Sequence, residues 1–232
     1  MQPSGGELSI EIRGERLLLH PERALVWPAT RTLLIADPHF GKDDVFRRAG
    51  IALPDGTAQA DLARLTALID AHACERLVVL GDFVHAATRA GDSFLAAFAD
   101  WRRSHAQLTV EVIAGNHDRH EAATKWKGLI EWRLTAVVHA PFVFSHEPVA
   151  DRRGYVIAGH IHPVFNMARV RRRLRVPVFW QRPDVLVMPS FGTFTGGATI
   201  RPAPTDALFV AGPERVIALG VSQGRSRSEQ AE

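Results

Sequence analysis

Five short polar clusters, most of them directly behind a run of β-forming residues, constrain this chain more than any other feature. In chain order, the clusters are Asp37-Pro38-His39, Gly81-Asp82, Gly115-Asn116-His117-Asp118, Ser145-His146 and Gly159-His160-Ile161-His162. Their carboxylates, amide and imidazoles supply oxygen and nitrogen ligands, and such ligands at strand ends are what a hydrolytic centre with two metal ions requires. One cluster alone is typical of an ordinary turn, whereas five in this order predict an assembled site.

The first half of the chain alternates apolar strands with amphipathic helices. We predict strands over Thr32–Ala36, Arg76–Leu80 and Leu108–Ala114, with one helix beginning at Pro54-Asp55-Gly56-Thr57 and another spanning Asp92–His105. This β-α-β-α-β order implies parallel strands joined by crossover helices.

The second half differs, because strand follows strand from Arg133 onward. The predicted strands are Leu134–Val138, Phe142–Phe144, Tyr155–Ala158, Val176–Gln181, Val185–Met188, Ala207–Val210 and Arg215–Leu219. Three short N-terminal strands, Leu8–Ile12, Leu17–His20 and Ala24–Trp27, precede both halves. The asymmetry predicts an α/β fold in which two sheets pack face to face, with the helices of the first half outside. We predict a single domain over residues 1–221 and a disordered polar tail over Ser222–Glu232.

The composition is that of an ordinary soluble globular protein, with 46% hydrophobic and 23% charged residues. The sequence has neither a long apolar run nor the features of a signal peptide at its N-terminus, so we predict a cytoplasmic protein without membrane association. Its single cysteine, Cys74, excludes an internal disulfide and a cysteine-based zinc site. We expect Cys74 to be a buried structural thiol.

One short stretch concentrates positive charge. Arg169, Arg171, Arg172, Arg173 and Arg175 lie close together with no acidic residue among them. The net charge of +3 does not by itself imply a nucleic-acid partner. The stretch is either a solvated surface hairpin or an arm that follows a phosphate backbone.

Asp82 is the natural bridging residue of a two-metal site, because each of its oxygens can bind a different ion. Asp37, His39 and one of the later histidines would complete the coordination of the first metal. Asn116 and two further histidines would complete that of the second. Two divalent cations outweigh two carboxylates, so the site would keep positive charge for an anionic phosphate. A cysteine-free set of this kind favours manganese, iron or zinc over calcium.

The ordered clusters resemble the motifs of the calcineurin-like metallophosphoesterase superfamily over Asp37 to His162. That resemblance implies a four-layer α/β/β/α sandwich and a specific ligand set. The first metal would be held by Asp37, His39, Asp82 and His162, and the second by Asp82, Asn116, His146 and His160. His117 would protonate the leaving oxygen or stabilise the developing charge without binding metal, and Asp118 would orient the His117 ring.

A narrower resemblance is to the ligase-associated DNA-damage-response endonucleases. It rests on Ala36–Lys42, Phe46–Ile51, Pro54, Ser145–Pro148 and Pro189–Gly197. It implies a DNA-repair nuclease that works with a DNA ligase and related repair factors, and we expect its metal to be manganese, with iron or zinc as alternatives. Pro38 departs from the pattern, where leucine is more usual, and we expect this change only to stiffen the loop between two ligands.

Residues beside the clusters are candidates for contacts with the substrate. His85 resembles a histidine of double-strand-break-repair nucleases that helps to place the scissile phosphodiester, although an ordinary loop histidine fits equally well. Lys42, Arg47, Arg48 and Arg89 are candidate phosphate contacts, although each is also typical of surface charge. His20, His72, His105, His120 and His139 are interpreted as structural or exposed.

Three functions remain open from the sequence. The first is a nuclease or phosphodiesterase acting on DNA, and the second is a small-molecule phosphodiesterase or phosphatase with the same centre. The third is a non-catalytic interaction scaffold of the same fold. All seven ligand positions and His117 carry competent residues, which argues against the scaffold.

Overall fold

Seven strands form the first sheet in the order in which they follow one another along the chain. They are β1 (Leu8–Ile12), β2 (Glu15–His20), β3 (Ala24–Trp27), β4 (Thr32–Ile35), β5 (Arg76–Leu80), β6 (Thr109–Ile113) and β7 (Glu131–Arg133). The pairs from β1 to β4 are antiparallel, and those from β4 to β7 are parallel. The structure, a computed structural model, describes residues 5–50, 56–89, 91–120, 123–169, 172–193 and 195–219.

The described helices lie in the crossovers of this sheet. They are α1 (Lys42–Arg48), α2 (Thr57–His72) and α3 (Ser93–Ser104), and short 3-10 turns span Pro28–Thr30, His117–His120 and Ala123–Trp126. Leu65 of α2 and Phe98 of α3 are buried against Leu33 and Val79 of the sheet. Because apolar residues recur at helical spacing along both helices, each one buries a single face on the sheet.

Nine strands form the second sheet. They are β8 (Val137–His139), β9 (Phe142–Ser145), β10 (Tyr155–Ala158), β11 (Pro163–Arg169), β12 (Arg172–Gln181), β13 (Val185–Val187), β14 (Ala198–Thr199), β15 (Ala207–Ala211) and β16 (Val216–Leu219). Their main order is β14-β11-β12-β13-β10-β9-β8, and β15 joins β12 to β16. Strands β9, β10 and β13 are mutually parallel, whereas β12 is antiparallel to its strand partners.

The two sheets face each other across an apolar core. Leu34 and Leu80 from the first sheet meet Phe144, Ile157 and Leu186 from the second, and these side chains are almost completely buried. This confirms the predicted sandwich of two mixed sheets. In the described residues the long helices pack only on the first sheet. The outer apolar clusters of the second sheet contain no residue of a described helix, so the second helical layer implied by the resemblance is not seen there.

The bounds of most predicted elements are close to those observed, and the parallel order of β4, β5 and β6 is confirmed. The predicted strand Leu134–Val138 is wrong: β7 ends at Arg133, and the chain turns before β8 begins at Val137. Helix α1 was not predicted, because its seven residues show no helical apolar period. Cys74 is buried, as expected, and burial raises its pKa to about 12. The predicted tail, 222–232, lies outside the described residues.

Candidate metal centre

The seven predicted ligands gather where five strands end. Asp37, Asp82 and Asn116 follow β4, β5 and β6, and His146 and His160 follow β9 and β10. Carboxyl ends of parallel strands share one edge of a sheet, so the topology itself collects these side chains. Five of the seven ligands have left-handed backbone angles, which non-glycine residues seldom adopt; they are Asp37, His39, Asp82, His160 and His162. Backbone strain of this kind is concentrated at functional sites.

Asp37, His39, Asp82 and His162 form one compact donor group, with all four ligand atoms within 4.8 Å of one another. His162 Nε2 lies 3.6 Å from Asp37 Oδ2, and His39 Nε2 lies 3.7 Å from Asp82 Oδ2. The two Nε2 atoms are 3.4 Å apart. These four residues are the set that the resemblance assigned to the first metal.

A second donor group adjoins the first at Asp82. His146 Nε2 lies 2.9 Å from both Asn116 Oδ1 and His160 Nδ1, and 3.7 Å from Asp82 Oδ1. Asp82 therefore directs Oδ2 towards one group and Oδ1 towards the other. Oδ1 also accepts a hydrogen bond from the backbone N–H of His117 at 2.9 Å.

In His146 and His162, the ring nitrogen that points away from the centre determines which tautomer of the imidazole faces the site. His146 Nδ1 lies 3.2 Å from the carbonyl oxygen of Leu80, and His162 Nδ1 lies 3.0 Å from that of Gly196. A carbonyl can only accept, so Nδ1 carries the hydrogen and the neutral ring presents the lone pair of Nε2 to the centre. The donors therefore fit a bound cation.

Three glycines give the ligands their space. A Cβ at Gly81 would come within 1.9 Å of His146 Nδ1, and one at Gly115 within 2.2 Å of Asp82 Oδ1. At Gly159, the added atom would lie 2.4 Å from Asp37 Oδ2. These close approaches explain why a glycine stands near the start of three of the five clusters.

Burial controls the charge of the first donor group. Asp37 is completely buried, and burial raises the pKa of its carboxyl group. Burial, followed by the neighbouring His162 and His117, lowers the pKa of His39 to about 2, which keeps this imidazole neutral and able to bind metal. Burial also acts to lower the pKa of His162, but the hydrogen bond and charge of Asp37 raise it overall.

His117 and His85 lie beside the donor groups. His117 Nδ1 is 2.9 Å from the carbonyl oxygen of His85, and the two rings stack with centroids 5.5 Å apart. The His117 ring also meets His39 edge to face at 4.9 Å. Burial, with contributions from Lys42 and His117, lowers the pKa of His85. The structure thus places both predicted histidines at the centre.

The predicted role of Asp118 as the partner of the His117 ring is wrong. Its two oxygens accept hydrogen bonds from the backbone N–H groups of Phe83, Val84 and Gly115, at 3.1, 3.1 and 2.8 Å. The His117 ring meets a backbone carbonyl instead. Asp118 therefore joins the loop after β5 to the loop after β6, which carry the predicted ligands Asp82 and Asn116.

The predicted phosphate contacts differ in their surroundings. Lys42 is half-buried over the Phe46 ring, 5.5 Å from its centroid, and burial lowers its pKa. Arg47 forms ion pairs with Asp44 and Asp43, and Arg48 forms one with Asp92. These two guanidinium groups already have carboxylate partners within the protein.

Arg89 is exposed. Of the basic stretch, Arg171 lies outside the described residues, as do the side chains of Arg169, Arg172 and Arg173. Arg175 in β12 donates to the carbonyl of Gly197. The strands β11 and β12 form the antiparallel hairpin that carries the stretch, and its role as a phosphate-binding arm stays a prediction.

Sequence reasoning missed the residues that hold the loop 189–197 beside the centre. Ser190 donates to the backbone oxygen of Asp37 at 2.7 Å. Arg64 in α2 lies over the Phe191 ring, 4.1 Å from its centroid, donates to the Phe191 carbonyl and pairs with Asp61 and Glu22. Since this loop supplies the carbonyl that meets His162, Arg64 helps to position this predicted ligand from a distance. The sequence carries no signal for this contact, because α2 and the loop are far apart in the chain.

Comparison with known proteins identifies the family. The model of the calcineurin-like phosphoesterase family matches residues 30–217, so the chain belongs to that family. The crystal structure of the Pseudomonas putida nuclease MPE is 41% identical, with a TM-score of 0.80, and the match covers 91% of this chain and 100% of that one. No match was found among the curated proteins searched.

Two other solved structures are more distant. One is protein AQ665 of unknown function from Aquifex aeolicus, at 18% identity and a TM-score of 0.40, covering 60% of this chain and 81% of that one. The other is the E. coli phosphoesterase Yfce, at 16% identity and a TM-score of 0.40, covering 77% of this chain and 86% of that one.

Family membership makes the protein a metal-dependent phosphoesterase, a hydrolase of phosphate esters. Its histidine and aspartate clusters are able to bind metal ions. Among the described residues, no helix has both the length and the apolar character that crossing a membrane requires.

Proposed function

We propose that the protein is a nuclease that hydrolyses phosphodiester bonds in DNA with two divalent metal ions, manganese foremost, with iron or zinc as alternatives. The observation that carries this proposal is the position of Asp82, whose two oxygens face two separate donor groups, each 3.7 Å from a histidine nitrogen. The similarity to a bacterial nuclease supports nucleic acid as the substrate class. Action in a ligase-associated repair system in the cytoplasm belongs to the proposal and rests on the resemblance of the motifs.

The proposed ligands follow the two donor groups. Asp37, His39 and His162 would hold one ion and Asn116, His146 and His160 the other, with Asp82 shared. When bound, the two ions would neutralise the phosphate charge and lower the pKa of an attacking water. The chain itself would supply the orientation of these donors, through the carbonyls of Leu80 and Gly196 and through Asp118.

His117 is the proposed proton donor. Its Nδ1 is directed to the His85 carbonyl, so Nε2 is the atom left for the substrate. A carbonyl accepts from the neutral and the cationic ring alike and holds the ring in one orientation. The imidazolium can then deliver the Nε2 proton to the oxygen that leaves. The role of His85 would be to place the second arm of a diester, since it stacks on His117 beside the centre.

A substrate screen tests this proposal. Purified protein, stripped with a chelator and reloaded separately with manganese, iron or zinc, is offered single-stranded DNA, RNA, a cyclic nucleotide, bis(p-nitrophenyl) phosphate and p-nitrophenyl phosphate. We expect cleavage of DNA and a higher kcat/KM for the diester than for the monoester. His85→Ala should reduce diester turnover more than monoester turnover. A monoesterase that cleaves neither DNA nor RNA with any metal would refute the nuclease proposal.

A further inference from the structure

An open cavity adjoins one side of the metal centre. It has a volume of about 440 Å³, and its wall includes two proposed ligands, Asn116 and His146. The rest of the wall is contributed by Trp132, Leu134, Arg119, Glu147 and neighbouring residues. Its size falls within the roughly 300–1,000 Å³ of typical small-ligand sites.

The other side of the centre offers far less room. The cavity lined by His39, Lys42 and Thr193 has a volume of about 20 Å³. That volume is on the scale of a site for a single water molecule, which needs roughly 10–15 Å³. Of these two cavities, which are lined by described residues, the one beside Asn116 and His146 is large enough to admit a planar ring and the one beside His39 is not.

The wall of the larger cavity is suited to such a ring. Leu134 is 79% exposed, so its side chain leaves a large apolar surface in contact with water. It follows β7 immediately, in the turn that replaces the strand predicted over Leu134–Val138. Trp132, in β7, is half-buried and packs edge to face on Phe83, with centroids 6.3 Å apart, so its indole is held by the core and contributes to the wall.

We propose that this cavity binds the nucleobase of the nucleotide on one side of the scissile phosphate. The inference rests on the proposed function and adds where the substrate lies. Nucleobases are recognised by packing against aromatic and apolar side chains, which the indole of Trp132 and the isobutyl group of Leu134 supply. Arg119 and Glu147 are exposed residues of the wall. They add a cation for a flanking phosphate and a carboxylate that accepts from base amino groups.

If a base binds in this cavity, kcat/KM should depend on the presence of a base on one side of the scissile phosphate and not on the other. A base on the cavity side should raise kcat/KM roughly 5- to 100-fold, the scale of one stacked base. A base on the side of His39 should change it less than about twofold, because the cavity lined by His39, Lys42 and Thr193 is too small for stacking. The relevant pairs are thymidine 5′- and 3′-(p-nitrophenyl phosphate), each with its counterpart that lacks the base, after reloading with manganese.

Substitutions in the cavity wall test whether this cavity causes the effect of the base on kcat/KM. Leu134→Ser should remove most of the advantage of the base, while hydrolysis of methyl p-nitrophenyl phosphate stays unchanged, since Leu134 is exposed and its replacement does not disturb the core. The matched control is Ile217→Ser in β16, an exposed aliphatic residue at 48% that is outside the cavity. It should leave both substrates unaffected. Arg119→Ser should weaken only substrates that carry a further phosphate.

A binding measurement gives a readout that does not need turnover. Thymidine 5′-monophosphate should quench tryptophan fluorescence more than 2-deoxyribose 5-phosphate does, and Trp132→Phe should remove that difference while it keeps an aromatic side chain in the core. Equal kcat/KM with and without the base on both sides, together with equal quenching by the two ligands, would overturn the cavity proposal while diester hydrolysis still upholds the nuclease. If no diester is cleaved with any metal, the proposed function fails, and the fluorescence comparison still decides whether the cavity takes a base.

Discussion

Two clusters of histidine and carboxylate in this fold look alike in composition and differ in what they can bind. One is the donor group of Asp37, His39, Asp82 and His162, and the other is formed by Glu7, His20 and His72. Both bury a carboxylate, since Asp37 is 0% exposed and the Glu7 side chain 1%. The oxygen–nitrogen distances are also similar, at 3.6 and 3.7 Å in the first and 2.9 and 3.8 Å in the second.

The two clusters differ in the hydrogen-bond partner of Nδ1, the ring nitrogen that points away from the carboxylate. His162 Nδ1 meets the Gly196 carbonyl, so the lone pair of Nε2 faces the centre. His20 Nδ1 instead accepts from the backbone N–H of Glu22 at 3.0 Å, so in the neutral ring Nε2 carries the hydrogen and faces Glu7. A lone pair can bind a cation, whereas an N–H can only share its hydrogen with the carboxylate. The two clusters therefore differ in the backbone partner of one histidine each, His162 and His20, whereas the Nδ1 atoms of His39 and His72 have no hydrogen-bond partner among the residues that the structure describes.

Asp82→Asn should give the largest effect that this comparison predicts. Asp82 directs one oxygen to the Nε2 atom of a histidine in each donor group, so its loss should lower phosphoesterase activity by at least about 100- to 1,000-fold and reduce the bound metal. Activity and metal content are measured on the same preparation. The matched control is Glu7→Gln in the second cluster, which should change neither. Normal activity in Asp82→Asn would disprove the shared-ligand arrangement.

His117→Ala should leave metal content unchanged and slow turnover by about 100- to 10,000-fold, the range for a lost general acid. His117 touches the first cluster edge to face but is not one of its four donors. A substrate whose leaving group is a weak base should restore part of the rate. If the variant turned over a poor leaving group at the normal rate, His117 would not be the proton donor.

Arg64→Met tests whether the Gly196 carbonyl, the partner of His162 Nδ1, controls metal binding by the His162 ring. The variant keeps every proposed ligand but loosens the loop whose Gly196 carbonyl meets His162. Metal affinity should fall by about 10- to 100-fold, the scale for partners of metal ligands. Titration of the stripped protein with manganese measures this affinity. The control is Arg103→Met, since Arg103 is an exposed arginine of α3 that pairs with Asp100 on its own helix. Equal affinities in the two variants would contradict the argument.

The architecture of the centre was largely predictable from sequence, and the second cluster was not. Strands such as Arg76–Leu80 and Tyr155–Ala158 have the predicted bounds, because each is a short apolar run that ends at a glycine. The seven expected ligands lie in clusters that follow short apolar runs, three of which end at a glycine, and they come together in the structure. The partners of Asp118 and Arg64 are set by tertiary contacts between distant segments, and no local pattern encodes them. Glu7 and His72 belong to no motif, so nothing in the sequence brings them together.

His20 should make the smallest contribution, to stability at low pH. Burial, followed by His72, lowers its pKa from 6.5 to about 4, with Glu22 acting in the opposite direction and Arg64 in the same. Below about pH 6.5, the unfolded chain therefore takes up a proton that the folded ring resists, and the free energy of unfolding falls as the pH drops towards about 4. Urea unfolding of His20→Gln across this range should show a weaker pH dependence than the parent protein. An unchanged dependence would mean that His20 is not held neutral by the fold.

The most direct test of the account is the number and location of metal ions in protein reloaded with manganese. Elemental analysis combined with anomalous scattering should find two ions per chain, with Asp82 between them, and none between Glu7, His20 and His72. The count should fall in Asp82→Asn and stay at two in His72→Asn. An ion bound between Glu7, His20 and His72 would contradict the claim that the backbone partner of His20 keeps metal out of that cluster. Full activity with a single ion at Asp82 would contradict the two-metal arrangement.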